Sequence, residues 1–190
     1  MDSFQREIEN CAEIVLAGSS ILYPTDTIWG LGCDATNSGA VQKVNQVKGR
    51  PADKGYIVLI NRGFDFRSYL QNDGLFDPAF HQQFGKPVTV IYPEAKRIAP
   101  EALAPDGSVA LRIVEEPFCD GLIRAIGVPL VSTSANKSGE PAPSFFKEIS
   151  AAVKTEVDYV VNWRQDDESP KSPSMLVRKT GIAEYQVLRS

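Results

Sequence analysis

Three stretches of this chain run an apolar segment directly into a cluster of hydroxyls, amides or cations. In the first, Ser20-Ile21-Leu22-Tyr23 passes into PTDTIWGLG, residues 24 to 32, with Thr25, Asp26 and Thr27 in succession. A core strand has no use for three oxygen-bearing side chains at its end, whereas a ligand crevice does. In the second, VKGRPADKG, residues 47 to 55, Pro51 biases Arg50 out of the α region. Side chains two apart in an extended chain share a side, so Lys48 and Arg50 converge with Lys54 nearby. Three cations in one loop suit an anionic ligand such as a nucleotide phosphate, and a solvated surface loop is the competing reading. In the third, PLVSTSANKSGEPAP, residues 129 to 143, continued extension places Ser132, Ser134 and Asn136 on one face. The alternative there is a polar turn that uses the backbone tolerance of Asn136 and Gly139. Arg112, inside the apolar run SVALRIV, either faces solvent from a half-exposed strand or meets a partner or ligand that offsets its desolvation.

Other chemistries find little footing. No GxxxxGK[ST] phosphate loop occurs. Gly30-Leu31-Gly32-Cys33-Asp34-Ala35 fits a dinucleotide fingerprint formally, but no helix pattern starts there. The single histidine, His81, lies in DPAFHQQF at helical spacing from Phe80 and Phe84 and reads as a helix-surface residue, which leaves a Ser-His-Asp mechanism unsupported. Cys11, Cys33 and Cys119 are odd in number and show no Cys-x-x-Cys spacing, so reduced thiols are expected and neither a disulfide framework nor a cysteine metal site. The net charge of −4 argues against a strongly basic nucleic-acid wrapper. No secretory signal and no membrane-spanning run is visible, so a cytoplasmic protein without membrane contact is expected.

The elements that must position these groups read as one domain over residues 1 to 190. Helical periodicity covers Ser3 to Gly18, Ser38 to Lys48 with Gly49 as its stop, and Pro117 to Ile126 with Gly127 beyond. Strand patterns appear at 20 to 23, 56 to 60, 88 to 92, 108 to 114, 129 to 133, 157 to 162, 175 to 179 and 184 to 189. Strands crowd toward the C-terminus, so the fold class is α/β (α+β): a twisted, mostly mixed β-sheet with flanking helices rather than strict βαβ alternation. The polar stretch RQDDESPKSPS, residues 164 to 174, reads as a mobile loop.

PTDTIWGLG, KGRPADKG, SVALRIV and STSANKSGEPAP, in this order and spacing, resemble the YrdC-like family of L-threonylcarbamoyladenylate synthases, in its short form. The resemblance implies a sheet curled around a concave, positively charged cavity. It also implies a nucleotidyltransfer in which L-threonine, bicarbonate and ATP, with Mg2+ carried by the nucleotide, give threonylcarbamoyl-AMP and pyrophosphate. A tRNA threonylcarbamoyl transferase partner complex then modifies an adenosine of tRNA. Carried over by position, Thr27, Arg112, Ser132 and Ser174 contact threonine, and Arg50, Lys54, Ser108, Ser134, Ala142 and Arg189 contact the nucleotide. Lys48, Arg50, Ser134 and Asn136 form the catalytic set, with no protein nucleophile and no protein-held metal. Lys48 and Arg50 would offset charge on the phosphate oxygens, and Ser134 and Asn136 would orient the reacting groups. The competing class is a binding module of the same fold that holds tRNA or double-stranded RNA without synthase chemistry. Salt-dependent RNA binding indifferent to threonine and ATP would distinguish it.

Overall fold

The structure, a computed structural model, describes residues 2–49, 55–169 and 171–190; Arg50 and Lys54, two of the expected phosphate-binding cations, lie outside the described residues. The described strands are β1 (Ile21–Tyr23), β2 (Gly30–Gly32), β3 (Ile57–Ile60), β4 (Val88–Tyr92), β5 (Val109–Ile113), β6 (Leu130–Ser134), β7 (Tyr159–Val160), β8 (Met175–Lys179) and β9 (Tyr185–Arg189). With them are helices α1 (Ser3–Leu16), α2 (Ser38–Lys48), α3 (Pro78–Gln82), α4 (Pro117–Ile126) and α5 (Ala151–Glu156). The strands form one sheet in the order β7-β1-β2-β6-β3-β5-β4-β8-β9. Its pairings are mixed: β7–β1, β3–β5 and β4–β8 are parallel, the rest antiparallel. No helix among the described residues is long and apolar enough to cross a membrane.

Helix boundaries follow local chemistry. Asn37 accepts a hydrogen bond from the Ala40 amide at 3.1 Å to start α2, and Gly49, left-handed at φ 58°, ends it. Pro117 opens α4, the Glu116 carboxylate accepts from the Cys119 amide at 2.9 Å, and Gly127 at φ 68° closes the helix. Both spans agree with the sequence reading. The short strand β2 and helix α5 were not expected.

Strand alternation divides the sheet into two faces. On one, Leu22, Leu31, Val58, Val90, Leu111, Val131 and Val177 pack with Val41, Val44 and Val47 of α2. On the other, Ile21, Tyr23, Leu59 and Leu130 meet Ile8 and Val15 of α1 and Phe118, Leu122 and Ile123 of α4. Each such side chain contributes roughly 1.5–3 kcal/mol by leaving water. The two helices cover only part of this second face. Beyond Leu59 and Leu130 it continues through Ser132, Arg112 and Thr89, fixed by the registers Ile57↔Ser132, Leu59↔Arg112 and Thr89↔Arg112.

Gly32 makes the junction of β1, β2 and β6 possible. A methyl group there would overlap the carbonyl oxygen of Val131, which already accepts the Tyr23 hydroxyl at 2.9 Å. The glycine pair therefore serves strand approach and not a dinucleotide turn.

His81 departs from its expected surface position. The short helix α3 lies against β4, which buries the imidazole with Nε2 3.1 Å from the Tyr92 hydroxyl. Burial is the main cause that lowers its pKa from 6.5 to about 4; Lys179 acts in the same direction, and Asp77 and a backbone hydrogen bond oppose it.

Gly32→Ala is expected to destabilise the fold by about 3 kcal/mol or more, while Gly39→Ala in the first turn of α2 changes stability by less than about 0.5 kcal/mol; denaturant unfolding of the two variants checks the contrast. For His81, the unfolded chain binds more protons between pH 6.5 and 4, so its contribution is intact above pH 6.5 and falls with acidification toward pH 4. From pH 7 to 5 the expected loss is about 2 kcal/mol, and unfolding of His81→Gln across the same range should lack that component.

Candidate functional site

The uncovered part of the second face is the floor of a cavity of about 290 Å³. Thr27, Arg112, Ser132, Ser134, Ala142, Ser174 and Arg189, drawn from loops and strands far apart in the chain, all line it, together with Trp29, Gly30, Gly55 and Tyr56. Sequence positions spread over more than 160 residues thus converge on one concavity.

The loop between β1 and β2 is locked by its own hydroxyls. Thr25 Oγ1 accepts from the Thr27 amide at 3.0 Å, donates to the Ile28 carbonyl at 2.8 Å and lies 3.0 Å from Thr27 Oγ1. Below it, the Cys119 thiol, pushed well up in pKa by burial and so held neutral, donates to the Pro24 carbonyl at 3.2 Å. From the side, Arg164 Nη1 reaches both the Thr25 carbonyl and Glu116 at 3.4 Å. The polar stretch after β7 is therefore anchored at its start, with Arg164 also paired to Asp167. Trp29 is buried against Phe146, their ring centroids 4.8 Å apart.

Arg112 is not the half-exposed residue that one reading of its strand allowed. Only 3% of it is accessible, its Nη2 lies 3.2 Å from Asp26 Oδ1, and it stands 3.4 Å from Thr25 Oγ1. Among the described residues its Nε finds no hydrogen-bond acceptor. A buried guanidinium with an unused donor at the edge of a cavity suits a carboxylate or phosphate ligand.

Lys48 is buried at the C-terminal end of α2. Its Nζ donates to the carbonyls of Ser134 at 2.7 Å and Asn136 at 2.6 Å, and to Asn136 Oδ1 at 3.2 Å. The ammonium thus stitches α2 to the end of β6. Asn136 does not continue the face of Ser132 and Ser134, because β6 ends at Ser134 and the chain turns there. Its amide nitrogen donates to the carbonyls of Lys137 at 2.9 Å and Glu140 at 2.6 Å, and it is not among the cavity-lining residues.

Ser174 is buried, its hydroxyl 2.7 Å from Thr89 Oγ1, and its carbonyl accepts from Arg189 Nη2 at 2.8 Å and Nε at 3.3 Å. Arg189 is thereby carried from the exposed edge strand β9 to the cavity wall. Ser108 lies just before β5 with its hydroxyl on Asp106 at 2.6 Å, and is not among the lining residues. No group of three or more His, Cys, Asp or Glu among the described residues is arranged to hold a metal ion.

Sequence reasoning singled out Asp26 with its two threonine neighbours but gave it no partner, and it missed Arg164. The signal for Asp26 was available: an acid beside a buried strand and an arginine inside another apolar strand each require a countercharge.

The family model Sua5_yciO_yrdC, described as "Telomere recombination", matches residues 13–190. A protein of Xanthomonas oryzae pv. oryzae named threonylcarbamoyl-AMP synthase is 35% identical over 159 residues, covering 82% of this chain and 84% of that relative. Among solved structures, P. abyssi Sua5 matches as a double variant with a TM-score of 0.83 and in complex with L-threonine with 0.78, each at 22% identity and over 97% of this chain. This chain spans about half of those Sua5 chains, 56% and 54%. E. coli YciO matches with a TM-score of 0.79 at 23% identity, over 97% of this chain and 89% of its own. At these identities the structures establish likeness of fold alone.

Lys48→Met is expected to destabilise the protein by about 3 kcal/mol, since it leaves carbonyls of Ser134 and Asn136 without their buried donor; denaturant unfolding measures it.

Proposed function

The chain belongs to the Sua5/yciO/yrdC family, and on that premise we propose that it is a threonylcarbamoyl-AMP synthase. In this reading L-threonine, bicarbonate and ATP give threonylcarbamoyl-AMP and pyrophosphate. The product then serves a transferase complex that modifies an adenosine of tRNA. The observation that carries the reading is Arg112, buried in an apolar strand with a donor unused and itself among the residues that line a hydroxyl-bearing cavity.

Arg112 takes the threonine carboxylate, a charge-assisted contact strengthened by the desolvated setting. Thr27, Ser132 and Ser174 border the amino acid. Ser134, Ser108, Ala142 and Arg189 belong to the nucleotide side, joined by Arg50 and Lys54 on the triphosphate. The difficulty of the reaction is an anionic carbamate oxygen meeting an anionic α-phosphate. Cations placed beforehand lower that barrier, because their orientation costs nothing when charge develops. Magnesium carried in with ATP would supply further charge neutralisation at the phosphates. Lys48 and Asn136 hold the Ser134 turn in place, so in this mechanism they position the hydroxyl while the ammonium adds its charge from behind the backbone.

Pyrophosphate release from ATP is expected to require both threonine and bicarbonate, falling to background when either is left out. Arg112→Lys keeps the charge but loses the planar fork, and is expected to lower kcat/KM for threonine about 100-fold while ATP affinity stays within about threefold. A coupled pyrophosphate assay with both substrates varied reads the difference; release indifferent to threonine would refute the synthase reading.

A further inference from the structure

The peptide that joins Thr25 to Asp26 is gripped by two guanidiniums. Arg112, which lines the cavity, has Nη2 3.2 Å from Asp26 Oδ1 and 3.4 Å from Thr25 Oγ1. Arg164, which is not among the lining residues, donates from Nη1 to the Thr25 carbonyl at 3.4 Å. Thr27 follows directly, its amide on Thr25 Oγ1 at 3.0 Å and its side chain in the cavity lining. The orientation of this one peptide therefore sets Asp26 against Arg112 and Thr27 against the cavity.

Arg164 hangs from a fixed point. The same Nη1 reaches Glu116 Oε1 at 3.4 Å, and that carboxylate, with 1% of its side chain accessible, also accepts from the Cys119 amide at 2.9 Å and from Trp163 Nε1 at 3.3 Å. Trp163 packs on Phe4 of α1, their ring centroids 4.4 Å apart. The remaining donors, Nε and Nη2, both go to Asp167 Oδ2. All of this is built on a left-handed backbone: Arg164 has φ 53°, which glycine adopts freely and a residue with a Cβ adopts at a cost. A turn that needed only this backbone would be met by glycine. What arginine adds is the reach to Glu116 and to the Thr25 carbonyl.

We propose that Arg164 is a positioning residue of the site: it suspends the Thr25–Asp26 peptide from the buried Glu116 and so holds Thr27 and the Arg112–Asp26 pair where a substrate meets them. It touches no substrate and acts through Thr25 alone, so its influence falls on the end of the cavity bordered by Thr27 and Arg112 and spares the end bordered by Ser134, Ala142 and Arg189. The inference rests on the reading of those two ends as the threonine side and the nucleotide side.

The test is steady-state pyrophosphate release, with threonine and ATP varied in turn, beside denaturant unfolding of the same proteins. Arg164→Gly suits the φ of 53° and removes the guanidinium. It is expected to raise KM for threonine about 10-fold, with kcat and KM for ATP within about threefold of wild type. Arg164→Lys keeps a cation beside Glu116, but a single ammonium cannot hold Glu116, Asp167 and the Thr25 carbonyl together. It is expected to unfold at a midpoint close to that of wild type and still to show KM for threonine raised about fivefold. For a merely structural arginine, KM would follow stability and return to the wild-type value in Arg164→Lys, or both substrates would weaken together. Either result overturns the proposal, as does an unchanged threonine KM in Arg164→Gly or the failure of both variants to fold. If release by wild-type protein is indifferent to threonine, the amino-acid reading falls and the role of Arg164 with it; if it depends on threonine and both variants match wild type, only the role of Arg164 falls.

Discussion

An apolar sheet face must be covered, and here two helices cover only part of one. Where α1 and α4 stop, the alternation that placed Leu59 and Leu130 against them continues into Ser132, Arg112 and Thr89 on the same face. Polar side chains at those positions are tolerable only beside a cavity or a polar partner. The remainder of the site follows from that shortfall of cover. Loops from β1–β2, from the end of β6 and from the approach to β8 close around the exposed floor and give it walls.

The walls are held mainly by contacts between groups that a site also needs. Thr25 ties its loop to itself through backbone and hydroxyl, Lys48 ties α2 to the Ser134 turn, and Arg189 ties the edge strand to Ser174. Such dual use narrows what substitution can separate. A change at Lys48 alters electrostatics and the course of the backbone together, so loss of turnover alone would not identify a chemical role.

The sequence made the periodic elements legible and left the long-range pairings hidden. α2 and α4 carried caps and stops in their own residues, and β4 carried a dense β-branched run. β2 was missed because Gly-Leu-Gly has neither alternation nor strand propensity; it exists because Val131 leaves no room for a side chain opposite Gly32. His81 was placed at the surface from spacing alone, yet α3 is too short to show which side would meet β4. The convergence of Thr27, Arg112 and Ser132 could be anticipated from strand ends and from family resemblance. That Asn136 would turn away to bond the Glu140 carbonyl could not, because it depends on where β6 stops.

The place of β6 in the sheet has a consequence for how the molecule comes together. It lies between β2 and β3, and among the described residues its strand pairings join the ribbon β7-β1-β2 to the ribbon β3-β5-β4-β8-β9. Remove it and two separate sheets remain. The strand that joins the two ribbons is also the one that bears Ser132 and Ser134, so the seam of the sheet and part of the cavity floor are the same strand. The cavity therefore takes residues from both ribbons, Thr27 and Gly30 from one and Arg112 and Arg189 from the other, and β6 holds the two halves of its lining together.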